Sequence, residues 1–363
     1  MGKAYLVLEN GAVFEGQTFG YDGEAIGELV FNTGMTGYLE TLTDPSYYGQ
    51  IVMQTFPLIG NYGVIPSDFE SDGVQVKAYI VREWCQEPSN FRSEGELDTF
   101  LRDNRIPGLY GLDTRALTRI VRESGVMNAK ISKNPELTDT EWKALRSYAV
   151  KESVELTSTK KAYTLESDNP KYKVALWDFG AKGNIANELQ IRGCTVTVLP
   201  WDATAEEIKA LGPDGIMLTN GPGNPKDNTQ IISELKKLCA FQIPILGICL
   251  GHQLLALSQG AETVKLHYGH RGANQPVLET DTGRVFITSQ NHGYAVLSET
   301  LPGTAAASFI NCNDGTCEGI AYKNMPVFSV QFHPEACGGP LDSRWLFDRF
   351  ITMMEEGKKH ASE

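Results

Sequence analysis

The chain changes its pattern of hydrophobic and polar residues near its middle. In residues 1–150, short alternating runs such as AYLVLENGAVFEGQTFG end at glycine, proline or asparagine, which predicts strands joined by turns. Two later runs, EGELDTFLRDNRI and DTRALTRIVRESG, repeat apolar residues at helical spacing, and the second stops at a glycine. The pattern therefore predicts a smaller α+β domain over residues 1–150, rich in antiparallel pairing.

From Lys173 onwards, short continuous apolar runs alternate with amphipathic ones. The predicted strands are KVALWDFG, TVTVLP, GIMLTN and PILGI, and the helices between them are NIANELQIRG, TAEEIKAL and TQIISELKKLCAF. This alternation is typical of a parallel sheet covered by helices on both faces. We predict a doubly wound, mostly parallel, flavodoxin-like α/β domain over residues 173–356, which becomes strand-rich after Gly260 and ends in a helix.

Two segments fall outside these domains. Residues 151–172 are polar and weakly patterned and end in Asn-Pro, so they are predicted to form a linker. Residues 357–363 are predicted to form a short polar tail.

Composition and charge exclude some classes of protein. The 363 residues carry a net charge of −13 at pH 7, whereas nucleic-acid binders need basic patches to neutralise phosphates. The start, MGKAYLVLENGAVFEG, does not resemble a signal peptide, and no apolar run has the length of a membrane span. We expect a cytoplasmic protein with no nucleic-acid or membrane partner.

The cysteines favour reduced thiols. Seven of them are scattered through the chain, which does not suggest a disulfide framework. Cys312 and Cys317 could suggest a metal site, but they flank the hairpin-turn signal Asn-Asp-Gly and no second ligand pair has suitable spacing. We predict no metal site.

One cysteine lies at a predicted strand-to-helix turn. Cys249 stands in GICLG, the thiol form of the G-x-S-x-G nucleophile elbow, where flanking side chains must be absent. The following helix, LGHQLLALSQ, would present its N-terminus to the sulfur and favour the thiolate. A buried, inert cysteine would fit the same residues, so this pattern alone leaves both interpretations open.

A nucleophilic cysteine needs a base and a residue that orients the base. The run PVFSVQFHPEA reads as a buried strand that ends at His333, and Glu335 can accept the imidazole N–H. Together with the elbow, this pattern favours a Cys-His-Glu triad over a histidine that is merely satisfied in the core.

Two loops offer groups for polar recognition. TNGPGNP lacks both the dinucleotide fingerprint and the Gly-Lys-Ser/Thr of a phosphate loop, so its exposed N–H groups at Gly221 and Gly223 could hold a carbonyl or carboxylate. SQNHGYAV offers Asn291 and Gly293 beside the ring of Tyr294. A plain turn remains the alternative for TNGPGNP.

GICLGHQ, NGPGNP and VQFHPEA together resemble the class I (triad) glutamine amidotransferases, which release ammonia from the glutamine side chain. VFNTGMTGYLETLTDPSYYGQIV, PLIGNYG and GLDTRALTRIVRESG are similar to the small, glutaminase subunits of carbamoyl phosphate synthetases. The resemblance extends from about Ala4 to Met354. It implies hydrolysis of L-glutamine through a γ-glutamyl thioester, in the service of pyrimidine biosynthesis, arginine biosynthesis or both.

The resemblance implies roles for individual positions. Cys249 would be the nucleophile, His333 the general base and acid, and Glu335 the residue that orients it. Two backbone N–H groups would bind the oxyanion, those of Gly221 and Leu250. Six further positions would hold glutamine: Ser46, Gly223, Gln253, Asn291, Gly293 and Tyr294. Lys182 matches a lysine near the family's site.

Three positions depart from the family's usual residues. Asn224 replaces an aspartate, Tyr294 a phenylalanine and Cys337 a serine. The first two are expected to alter electrostatics or glutamine contacts slightly, and none removes a member of the triad.

The resemblance also implies a partner. A large subunit would combine the ammonia with bicarbonate, using ATP and Mg²⁺, in a heterodimer or higher oligomers of it. We expect no cofactor in this chain, which has no phosphate loop of its own. Two alternatives remain: a glutaminase that serves another biosynthetic enzyme, and a catalytically idle subunit that only binds a partner.

Overall fold

The computed structural model describes residues 2–362, with side chains as far as residue 359. The chain forms two compact units, Met1–Lys151 and Glu152–Glu363, and each has its own hydrophobic core. None of the helices in residues 2–362 is both long and apolar enough to span a membrane.

The first unit is built from short strands and helices. Its strands are β1 (Lys3–Leu8), β2 (Val13–Gly20), β3 (Ala25–Asn32), β4 (Gln50–Gln54), β5 (Leu58–Ile59), β6 (Ala78–Ile80), β7 (Glu83–Trp84), β8 (Pro107–Tyr110) and β9 (Met127–Ser132). Its helices are α1 (Tyr38–Thr43), α2 (Leu97–Asp103), α3 (Thr114–Ser124) and α4 (Asp139–Ser147).

Most of these strands form a closed barrel, which has the order β1-β2-β8-β6-β4-β3-β9 within the described residues. The β1–β2 hairpin turns at the predicted Asn-Gly, where Gly11 has a φ of +91°. The pairs β3–β4, β4–β6 and β6–β8 are parallel, and the other barrel pairs are antiparallel. The predicted α+β domain is confirmed. The parallel pairs were not predicted, because β4 and β6 are buried on both faces and therefore do not alternate between apolar and polar residues.

Helix α1 leads directly into the turn that carries Ser46. Its N-cap residue, Gly37, has no side chain, and the phenol oxygen of Tyr62 accepts the N–H groups of Gly37 at 3.0 Å and Tyr38 at 3.1 Å. After the helix, the Asp44 carboxylate accepts the Ser46 N–H at 2.9 Å. Hydrogen bonds at both ends of α1 therefore fix the position of Ser46 within this unit.

Removing the Tyr62 hydroxyl should destabilise the first unit. We expect Tyr62→Phe to lower the free energy of unfolding by about 1–2 kcal/mol, because two N–H groups at a helix start lose their acceptor. Urea denaturation measures this change. Tyr21→Phe is the matched control, since Tyr21 is 41% exposed. Equal stabilities of the two variants would contradict the capping role.

The second unit contains a large sheet and its helices. Its strands are β10 (Tyr163–Leu165), β11 (Tyr172–Trp177), β12 (Cys194–Leu199), β13 (Gly215–Leu218), β14 (Ile245–Ile248), β15 (Thr263–Glu279), β16 (Val285–Val296), β17 (Ala305–Asn311), β18 (Cys317–Tyr322) and β19 (Val327–Val330). Its helices are α5 (Ser153–Thr157), α6 (Gly183–Gln190), α7 (Ala205–Ala210), α8 (Thr229–Cys239), α9 (Leu250–Ser258) and α10 (Trp345–Ser362).

The sheet has the order β10-β12-β11-β13-β14-β19-β18-β16-β15-β17 in the described part of the unit. Strands β12, β11, β13, β14 and β19 are parallel, and antiparallel strands extend the sheet on both sides. Ala175 and Trp177 face the core that includes α7, α8 and α9, whereas Val174 and Leu176 face α6 and α10. The doubly wound prediction is confirmed, and the strand-rich region after Gly260 is the antiparallel extension.

The two segments outside the predicted domains contain regular structure. Residues 151–172 include α5 and β10, and β10 pairs antiparallel with β12 at the edge of the sheet. Tyr163 and Thr164 of β10 are exposed, so polar residues are tolerated in this edge strand. Helix α10 runs through Ser362, so the predicted tail continues a helix whose apolar residues pack on the sheet.

Candidate active site

Cys249 lies between β14 and α9 in a strained conformation. Its φ of +52° and ψ of −104° are rarely adopted by residues with a side chain. Its N–H donates to the Val330 carbonyl at 2.9 Å, and its sulfur lies 3.7 Å from the Asn291 carbonyl oxygen. Strain of this kind persists only where the surroundings impose it, so the geometry favours the nucleophile elbow over an inert buried thiol.

The glycines beside Cys249 allow helix α9 to pack closely on the sheet. A Cβ added at Gly251 would lie 2.5 Å from the Leu218 carbonyl oxygen, and one at Gly247 would lie 3.0 Å from the Gly251 carbonyl carbon. Cys249 is the N-cap residue of α9. The Cys249 side chain therefore lies at the N-terminus of α9, where free N–H groups and the helix dipole favour a thiolate.

His333 and Glu335 form a buried pair at the same edge of the sheet. Strands β14 and β19 are neighbours, with Ile248 opposite Val330, so Cys249 and His333 follow adjacent strands. The His333 Nδ1 lies 2.7 Å from Glu335 Oε1, and both side chains are buried. His333 Nε2 has no hydrogen-bond partner among the described residues, which leaves it available to a thiol or a substrate.

Lys182 forms an ion pair with Glu335. The sequence analysis identified this lysine only because it matches a lysine near the site of the amidotransferase family. The ammonium nitrogen of Lys182 lies 3.1 Å from Glu335 Oε1, and the backbone N–H of Lys182 donates to Asn220 Oδ1 at 3.0 Å. Burial alone would raise the pKa of Glu335, but Lys182 and His333 lower it to about 2. The contribution of Glu335 to stability is therefore complete above about pH 4.5 and is lost as the pH falls towards about 2.

The loop after β13 holds Gly221 and Gly223 in close contact with neighbouring atoms. A Cβ added at Gly221 would lie 2.2 Å from the Phe179 carbonyl oxygen and 2.8 Å from Leu250 Cδ2. Gly223 has a φ of +89°, and an added Cβ would lie 2.3 Å from Ser153 Oγ. The structure thus brings Gly221 beside Leu250. Neither Gly221 nor Gly223 has room for a side chain.

The remaining predicted glutamine contacts lie on three elements. Asn291, Gly293 and Tyr294 lie on β16, and Gln253 of α9 donates its amide N–H to the Tyr294 carbonyl at 2.8 Å. The group of Asn291 that contacts the Cys249 thiol is its backbone carbonyl oxygen. Ser46 belongs to the first unit, in the 3₁₀ turn Pro45–Tyr47.

A buried polar cluster beside β16 was missed by the sequence analysis. His270, His292 and Glu318 place ligand-type atoms within 4.8 Å of one another. His270 and His292 lie opposite each other on β15 and β16, a pairing that follows from the register of the two strands and has no local signal in the sequence. The absence of a metal site stays a prediction.

Cys312 and Cys317 lie on the predicted hairpin. Gly315, with a φ of +76°, donates its N–H to the Asn311 carbonyl at 2.9 Å, which closes the turn between β17 and β18. Cys312 is exposed whereas Cys317 is buried. The turn between β17 and β18 therefore lies where the Asn-Asp-Gly signal predicted it.

Comparisons with known proteins match each of the two units to a protein family. Residues 6–131 match the family described as carbamoyl-phosphate synthase small chain, CPSase domain, and residues 175–353 match glutamine amidotransferase class-I. The carbamoyl phosphate synthase small chain of Clostridium perfringens (strain 13 / Type A) is 53% identical over 350 residues, covering 96% of this chain and 99% of its own. The chain belongs to the carbamoyl phosphate synthase small chain family. The small chain of Listeria monocytogenes serotype 4b is 49% identical over 366 residues, covering 99% and 100% of the two chains.

Two departures from the small-chain pattern can be placed in the structure. Asn224 Oδ1 accepts the Lys226 N–H at 3.1 Å, a capping contact that aspartate would also make. Cys337 is exposed, with its sulfur 3.8 Å from the Glu335 carbonyl oxygen. Neither residue takes part in the His333–Glu335 contact.

The close packing at Gly251 can be tested directly. We expect Gly251→Ala to lower the free energy of unfolding by about 1–3 kcal/mol, because the added methyl group would overlap backbone atoms of β13. Gly303→Ala is the control, since nothing lies within 4 Å of a Cβ added there. Chemical denaturation of both variants measures the difference. A Gly251→Ala protein as stable as the control would show that α9 has room to move.

Lys182 should control the ionisation of Glu335. We expect Lys182→Met to raise the pKa of Glu335, since burial would then act with less opposition, and so to shift the acid limb of the pH profile for glutamine hydrolysis to higher pH. Lys323→Met, which removes an exposed lysine, should leave the profile unchanged. An acid limb at the wild-type position in Lys182→Met would refute this dependence.

Proposed function

We propose that this chain hydrolyses L-glutamine and supplies the ammonia to the large chain of a carbamoyl phosphate synthase. One observation carries the proposal: the strained Cys249 at the start of α9 lies at the same sheet edge as the buried His333–Glu335 pair. Membership of the small-chain family and the match to class-I glutamine amidotransferases support it.

The first half-reaction forms a thioester. His333 Nε2 takes the proton of the Cys249 thiol, and the sulfur attacks the carboxamide carbon of glutamine. The oxyanion is stabilised by the N–H groups of Gly221 and Leu250, and Leu250 opens α9, where N–H groups lack intrahelical acceptors. The C–N bond then breaks, and the proton from His333 passes to the nitrogen that leaves as ammonia.

The second half-reaction regenerates the thiol. His333 takes a proton from water, the resulting hydroxide attacks the γ-glutamyl thioester, and the C–S bond breaks to release glutamate. The sulfur recovers its proton from His333. Glu335 stays ionised throughout, because Lys182 and His333 lower its pKa to about 2. It therefore keeps Nδ1 as the donor and leaves Nε2 to exchange protons.

Glutamine recognition is proposed to use groups at the same edge. The strand segment Asn291–Tyr294 passes the sulfur, as the contact of Cys249 with the Asn291 carbonyl indicates. The residues proposed to bind glutamine are Ser46, Gly223, Gln253, Asn291, Gly293 and Tyr294.

The ammonia must reach a second site before bulk water protonates it, which favours direct transfer to a bound large chain. We propose a heterodimer, or higher oligomers of it. The large chain would bind ATP, Mg²⁺ and bicarbonate, and we propose no cofactor for the small chain.

Replacing the nucleophile tests the proposal. We expect Cys249→Ser to reduce glutamine-dependent carbamoyl phosphate synthesis by the complex at least about a thousand-fold, because the serine hydroxyl is a far weaker nucleophile here. Synthesis from added ammonia should persist, since that reaction belongs to the large chain. Cys312→Ser, at an exposed thiol, should retain both activities.

Two results would contradict the proposal in different ways. Equal ammonia release by wild type and Cys249→Ser would show that Cys249 is not the nucleophile. No glutamine hydrolysis by wild type, even with the large chain present, would favour a subunit that only binds its partner.

A further inference from the structure

The side-chain amide of Gln253 uses both of its N–H groups within the protein. Gln253 lies one turn into α9, where its backbone N–H donates to the Cys249 carbonyl at 3.2 Å. Its Nε2 donates to the Tyr294 carbonyl at 2.8 Å and to Gln331 Oε1 at 2.8 Å. An amide nitrogen carries two hydrogens, so this nitrogen has none left for a bound substrate.

The oxygen of the same amide remains available. Gln253 Oε1 accepts no hydrogen bond from the described residues, and it is not among their buried polar atoms that lack a partner. The oxygen is therefore open to a bound molecule, although most of the Gln253 side chain is buried. Gln253 presents an acceptor, and no donor, to whatever binds beside it.

The matching of donors to acceptors fixes which way the two amides point. If the Gln253 amide turned over, its oxygen would face the Tyr294 carbonyl oxygen, and two acceptors would meet. If the Gln331 amide turned over, its NH₂ would face the NH₂ of Gln253. Each mismatch would leave buried polar groups unpaired, which is costly. The observed orientation gives each of these two contacts one donor and one acceptor.

Gln331 lies on a backbone that is fixed on both sides. Its N–H donates to the Glu318 carbonyl at 2.8 Å, and the His333 N–H donates to the Ser289 carbonyl at 2.9 Å. The Gln331 side chain is fully buried, and its Nε2 has no hydrogen-bond partner among the described residues. A buried N–H without an acceptor is destabilising, so stability alone does not account for an amide at this position.

We propose that Gln331 is a positioning residue for glutamine recognition: it holds the second N–H of Gln253, so that only the Gln253 oxygen faces the substrate and accepts an N–H of glutamine. The inference rests on the proposed function, which assigns Gln253 to the glutamine site. Gln331 itself is buried and acts through Gln253. Without Gln331, only the Tyr294 carbonyl holds the amide, which then rotates about that one bond and is less well preorganised for binding.

A double-mutant cycle tests this role. We expect Gln331→Met to raise the KM for glutamine about five- to ten-fold, with kcat nearly unchanged, because the oxygen of Gln253 is no longer held towards the substrate. Gln253→Met should raise KM at least as much, since it removes the acceptor itself. The double variant should have the KM of Gln253→Met, because Gln331 acts only through Gln253. Glutamine hydrolysis by the complex with the large chain gives both constants.

The matched control is Gln259→Met. Gln259 is the C-cap residue of the same helix, and its amide contacts Ser258 Oγ at 3.1 Å. This variant should keep the wild-type KM and kcat. Gln331→Met is expected to fold, since it also removes the buried N–H that has no partner. If it does not fold, Gln331→Leu takes its place in the same cycle, with the same expected result.

Three outcomes would overturn the proposal. A KM in the double variant raised by the product of the two single changes would show that Gln331 acts independently of Gln253. A fall in kcat at unchanged KM would show that Gln331 supports His333 instead. A wild-type KM in either single variant would show that the amide contact does not govern binding. Failure of the wild-type complex to hydrolyse glutamine would instead reject the proposed function, so the two failures are distinguishable.

Discussion

The site depends on the close approach of helix α9 to the strands beneath it. Backbone atoms of β13 and α9 occupy the space where side chains at Gly247 and Gly251 would lie, and the chain turns from strand to helix within one residue. Cys249 therefore takes a backbone conformation that it would not adopt in a free chain. The same turn places its sulfur beside the helix N-terminus and next to the Asn291 carbonyl.

Two buried carboxylates then give the surrounding side chains their orientation. Glu335 contacts Lys182 and His333, so its charge is balanced within a fully buried site. Glu318 instead accepts neutral amide and hydroxyl donors and lies beside His270. A buried carboxylate without partners would be costly, so each also constrains the residues that surround it.

The sequence indicated Cys249, His333 and Glu335 as candidate site residues, but it did not indicate all of the residues that contact them. Glycines around Cys249 and a strand that ends at His333 are local patterns, and each follows from what a tight turn or a strand end requires. Lys182 was not identified by its own context, because it lies about 150 positions from Glu335 and a lone lysine has no local signature. The parallel pairs of the barrel were missed for a similar reason, since strand neighbours are set by long-range contacts.

The sequence by itself determined the fold class of the second unit, the elbow and the His333–Glu335 motif, because apolar periodicity, glycine positions and short spacings act within a few residues. Only the tertiary structure decided that β14 and β19 are neighbours, that Lys182 reaches Glu335, and that Glu318 meets Gln290 and His292. These contacts join segments far apart in the chain. They depend on which buried charges and hydrogen bonds the packed sheet can satisfy, which no local pattern encodes.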